Sequence, residues 1–170
     1  MFIAIALVLS LVSVAFAEES TENGARAAVP QEIKDKKEQL KKLYEEARSI
    51  REKLYETRGD VKEGIAAIRE SFKDLSEEEK AEEKEELLAL KDSLQNDRSE
   101  IKAIRSQLMS MTKQMRTYRA QLKDAIKARD YDQVSAILDK MIELRTEKNA
   151  KLNQLLDLRE KMIDEVYEQI

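Results

Sequence analysis

Leu87, Leu94, Ile101, Leu108, Met115 and Leu122 stand seven residues apart, and Leu90, Ile104, Met111, Tyr118 and Ala125 occupy the partner position of the same repeat. Repetition over five heptads confines this stretch to one long helix, because only a slightly under-wound α-helix gathers residues at that spacing into a single stripe. Asp97 alone interrupts the stripe. Just before it, Ser76-Glu77-Glu78-Glu79 has the form of a capping box, in which the Ser hydroxyl accepts from the amide three residues on and Glu79 reaches back to the amide of Ser76. A helix from there to about Ala128 is about 80 Å long at 1.5 Å per residue, too long for a compact domain of this size.

A second stripe precedes it. Ile33, Leu40, Ala47, Leu54, Val61, Ile68 and Leu75 again recur every seven residues, accompanied by Leu43, Ile50, Ile65 and Phe72. Pro30 suits a first helical turn, where its missing donor costs nothing, and Glu32 and Asp35 suit a helix N-terminus. Gly59 and Gly64 interrupt the pattern, and the spacing predicts a break or kink near Gly59.

Asp130, with Gln133 three residues later, marks the start of a final helix after a reversal. Its apolar residues run from Val134 to Leu144 and from Leu152 to Ile170 on a face wide enough to need more than one neighbour. A reversal near Arg129 and Asp130 places Leu122 near Ile137, Met115 near Leu144, Ile101 near Leu158 and Leu94 near Val166. Residues 145–151, where only Ala150 is apolar, fall opposite residues 108–113, and packing there is expected to be weak. The fold class is therefore all-α and elongated: a long antiparallel helical hairpin over residues 76–170, an N-terminal helical arm over 30–75, and coiled-coil-like packing. Self-association is expected to bury the surplus apolar face.

Residues 2–17 form an uncharged apolar run ending in Ala15-Phe16-Ala17, which gives residues 1–17 the form of a cleavable signal peptide, though only the α-amino group supplies positive charge at its start. About 16 residues fall short of the roughly 20 that span a bilayer as a helix. Residues 18–29 are polar, contain Gly24 and lack periodicity, as in a flexible leader. The expected destination is the periplasm or the extracellular side of the cell envelope, with no stable membrane insertion after cleavage. Without cysteine, stability there must come from helix packing.

The 31 basic and 35 acidic residues give a net charge of -4 and are interleaved along the chain, so neither a nucleic acid nor another strongly charged partner is expected. The absence of His and Cys removes the commonest general base, the soft metal ligands and the thiol nucleophile. No catalytic residue, cofactor or metal site is predicted. Seven Glu between Glu77 and Glu86 suit the start of a helix and need no cation. Met109, Met111 and Met115 admit three readings: core packing, a pliable surface for varied protein clients, or thioether ligands for Cu(I).

Leu75-Ser76-Glu77-Glu78-Glu79 resembles the Leu-Thr-x-x-Gln signature of the Spy and CpxP family of periplasmic helical proteins, with Ser for Thr and Glu for Gln. The signal peptide, the charged helices and the Arg-Asp-Tyr-Asp turn before an apolar-rich last helix are similar to that family's plan. The resemblance implies ATP-independent chaperoning by a dimer of helical hairpins holding unfolded proteins on a concave surface, or adaptor work in envelope stress. Leu75, Ser76 and Glu79 carry the motif, and Met109, Met111 and Met115 are the candidate client-binding residues. The competing expectation is a structural spacer, an extended coiled coil that tethers other envelope components.

Overall fold

A computed structural model describes residues 29–168. The expected signal peptide and all but the last residue of the expected leader lie outside the described residues. The described residues form three helices: α1 (Gln31–Asp74), α2 (Glu77–Ala128) and α3 (Tyr131–Tyr167). The described chain is all-α, and none of its helices is long and apolar enough to cross a membrane.

Both reversals are built from the expected chemistry. At the first, the Glu79 amide donates to Ser76 Oγ at 3.3 Å and the Ser76 amide donates to Glu79 Oε2 at 2.8 Å, so the capping box is complete. At the second, the amides of Arg129 and Asp130 return to the carbonyls of Ile126 and Ala125, and Asp130 caps α3 by accepting from the Gln133 amide at 2.9 Å. Arg129 takes the left-handed conformation that closes this turn, with φ of 56°.

The helix α3 lies in the middle. Against α2 it runs antiparallel, with Lys148 donating to Thr112, Lys161 pairing with Asp97 at 3.0 Å, and Ser93 donating to Glu165 at 2.9 Å. This is the register predicted from the sequence, and each predicted apolar pair falls within one core cluster. Against α1 it runs parallel, with Lys36 donating to Ser135 and Asp139 near one end and Arg159 donating to the Leu54 carbonyl near the other. The N-terminal arm is thus docked along α3, and it supplies the second neighbour that the wide apolar face required. Because α1 covers that face within the chain, burying it needs no second molecule. The outer helices α1 and α2 make little contact with each other.

The expected break at Gly59 is absent: α1 is continuous from Gln31 to Asp74. Leu54 is buried and Val61 half-buried in the same core cluster, so the helix is held on both sides of Gly59 by packing that outweighs a propensity penalty of about 1 kcal/mol. Gly64 has another reason to be there, since a Cβ at this position would collide with Val166 Cγ1, and Val166 is fully buried.

Two apolar clusters make up the core, one near the Arg129–Asp130 turn around Met115, Leu122, Val134 and Leu138, the other around Leu54, Ile101, Leu155 and Met162. Between them lies a polar layer drawn mostly from the segment in which weak packing was expected. Arg145, Lys148 and Asn149 are all buried there.

Beyond the second cluster the described residues thin from three helices to two. Glu165 meets Ser93, Glu168 lines a cavity with Glu86 and Leu90, and Val166 and Tyr167 meet the Gly64 position, so the last described turn of α3 lies alongside residues 86–93 of α2 and the end of the α1–α2 pair beyond it forms a two-helix tip. Ile65, Ile68, Phe72, Leu75, Leu87 and Leu90 are only half-buried there, and Leu88 is 49% exposed.

Candidate functional site: a cationic cleft between the outer helices

Because α1 and α2 both rest on α3 and barely touch each other, a cleft of about 540 Å³ opens between them. Its apolar floor is made by Val61, Ile101 and Met162, one from each helix. Every other lining side chain is a cation. Arg58 and Lys62 come from α1 one turn apart, Arg98, Lys102 and Arg105 from successive turns of α2, and Arg159 from α3.

None of the five cations on the outer helices forms an ion pair or hydrogen bond among the described residues, although the chain has acids in excess. Arg159 spends one guanidinium nitrogen on the Leu54 carbonyl, and burial followed by the charges of Arg105 and Arg58 pushes it below the usual arginine range. Arg159 thus feels Arg105 and Arg58, and among the described residues no acid is paired with any of the five outer cations.

The same polarity continues into the buried polar layer. The Arg145 guanidinium stacks over the Tyr44 ring at 4.3 Å, and Arg119 from α2 lies 5.6 Å from that ring and donates to the Tyr44 hydroxyl at 2.6 Å, bridging the outer helices. Arg145 Nε also donates to the Leu43 carbonyl, while its Nη2 has no partner among the described residues. Asn149 ties the layer to α1 through the Leu43 carbonyl and Glu46, each at 2.9 Å. Burial, then the charges of Arg51 and Arg119 against a favourable contribution from Tyr44, pushes Arg145 down to about 10. Lys148, 6% exposed and donating to the Thr112 hydroxyl, is pushed down to about 8 by burial and then by Arg145, Arg51, Arg119 and Arg116. The bundle thus holds two groups of cations, one in the cleft and one in the polar layer.

The three methionines separate. Met111 and Met115 are buried in the core cluster near the turn, at positions of the heptad stripe. Met109 is 63% exposed, on the α2 face that also carries Arg98, Lys102, Arg105 and Arg116 at helical spacing. Leu75, Ser76 and Glu79 lie at the far end of the tip, where Ser76 and Glu79 close the helix cap and Leu75 is half-buried. The structure does not bring these residues together with the methionines.

The cationic cleft was not foreseen from the sequence, because charges that alternate along the chain sort by face once the helices form. A signal was nonetheless present: residues 101–123 contain six Lys or Arg and no Asp or Glu. Chemically the cleft offers hydrogen-bond donors, positive charge and a small apolar floor, which suits a ligand carrying acceptors, negative charge and some apolar surface. Among the described residues no group of acidic side chains is placed to hold a metal ion.

No family model, curated protein or solved structure matches the chain.

Proposed function

We propose that the chain is an exported, non-catalytic protein-binding protein of the cell envelope, acting as an ATP-independent chaperone or stress adaptor, with the cleft between α1 and α2 as its working surface. The supporting observation is the cleft's mixed chemistry, in which an apolar floor of Val61, Ile101 and Met162 lies among six cations and the exposed Met109 extends the same wall of α2. Such a surface engages unfolded polypeptide through charge at long range and through apolar contact at short range.

The test is suppression of light scattering from a reduced, aggregating test protein. Near-equimolar amounts of the chain should suppress it, and Met109→Lys should weaken suppression several-fold while circular dichroism stays unchanged. Lys at Met111 or Met115 is uninformative, since it would bury a charge in the core. No suppression by the intact chain at equimolar amounts leaves the spacer reading in possession.

A further inference from the structure

The acids missing from the cleft are found on the tip. Glu78, Ala81, Glu85, Leu88 and Asp92 recur at three- or four-residue spacing on one face of α2, and all five are exposed. Glu78, Glu85 and Asp92 make no ion pair among the described residues, so they stand as free of counter-charge as Arg58, Lys62, Arg98, Lys102 and Arg105 in the cleft. The same face carries Leu88, an exposed large apolar side chain. An acidic helix with an apolar side chain on the same face, and with its backbone donors satisfied internally, is the complement of a donor-lined cleft with an apolar floor.

We propose that the cleft is the docking site for the acidic tip of a second copy of this chain, in a reciprocal antiparallel dimer. Position along the rod supports closure. The tip stripe centres near Glu85 and the α2 wall of the cleft near Lys102, so two antiparallel copies related by a twofold axis near residue 93 of α2 set each tip over the other's cleft. One contact made twice leaves neither surface open, which distinguishes a closed dimer from a growing filament. Docking of the tip does not depend on client binding; a docked tip and a client would compete for the cleft.

The experiment is sedimentation of the full mature chain with paired charge reversals. The unaltered chain should be dimeric at micromolar concentration, and its dissociation constant should rise at least about tenfold between about 0.05 and 0.5 M salt as screening weakens the contact. Glu85→Lys with Asp92→Lys should give monomers, as should Arg58→Glu, Lys62→Glu, Arg98→Glu and Lys102→Glu together, which make the cleft net negative; all of these side chains are exposed, so helicity by circular dichroism should be retained. Mixing the two variants restores both contacts and should regenerate the dimer as a heterodimer.

A monomeric unaltered chain, reversals that leave the dimer intact, or a mixture that stays monomeric would each overturn the proposal. So would a monomeric chain whose cleft captures an unrelated acidic helical peptide or a polyphosphate, since the occupant would then be another molecule.

Discussion

The two ends of this bundle are built on the same heptad pattern and end up with opposite characters. Near the Arg129–Asp130 turn, all three helices share a core around Met115, Val134 and Leu138, and the Tyr44–Arg119 bridge ties the outer helices across the top. Toward the tip, the outer helices stand apart over the cationic cleft, Asp97 is buried in a stripe position against Lys161, and among the described residues the third helix runs only to Tyr167. Apolar periodicity therefore fixes where a helix touches the core. It does not fix whether neighbouring helices close over it, which here follows from the residues flanking the stripe: Tyr44 at one end, unpaired Arg and Lys at the other.

The largest expected effect compares truncations in the two regions. Leu138→Ala, at a fully buried position near the turn, should cost about 3 kcal/mol in urea unfolding, whereas Leu158→Ala, at a half-buried position in the second cluster, should cost about 1 kcal/mol. Equal costs would mean that the two ends are packed alike.

The polar layer between them should announce itself in pH dependence. Lys148 has a folded value near 8 against an unfolded value near 10.4, so below pH 8 it is charged in both states and the burial penalty is fully present. From about pH 8 to 10 the unfolded chain holds more protons, and stability should rise as the folded-state penalty is relieved. Lys37, pushed down by burial to about 8, contributes in the same direction. Thermal melts of the intact chain should therefore climb across that window, and Lys148→Met should remove on the order of 2 kcal/mol of the climb. An identical slope in the variant would show that Lys148 is not held charged in a buried site.

The smallest effects come from two glycines in the same helix. Gly64→Ala should destabilise by about 1–2 kcal/mol because Val166 must move, whereas Gly59→Ala, whose Cβ would meet nothing within 4 Å, should stabilise by about 1 kcal/mol through helix propensity alone. Differential scanning calorimetry on the two variants checks the sign of each, and a stabilising Gly64→Ala would remove the argument for close approach of α1 and α3.

Much of the architecture was legible in the residues themselves. The capping box at Ser76, the Asp130 cap and the antiparallel register of α2 and α3 each rest on local chemistry or on a repeat that admits one arrangement. The break at Gly59 was misplaced because a propensity penalty is a local quantity, while the buried row from Ile33 to Leu54 and the half-buried Val61 beyond hold α1 straight from outside. Residues 145–151 were expected to pack weakly because hydropathy cannot show that Arg145 lies on Tyr44 or that Asn149 finds the Leu43 carbonyl.

By itself, then, the sequence determined the apolar stripes of the helices, the caps at Ser76 and Asp130 and the direction in which the last two helices meet, since each of these follows from spacing along one chain. Only the tertiary structure decided that α1 docks parallel to α3, that Met111 and Met115 belong to the core while Met109 faces outward, and that an acidic chain presents a cationic cleft. The reason is geometric: a helix converts order along the chain into angle around an axis, and charges that look mixed in the first coordinate become separated in the second once other helices choose which angles face one another.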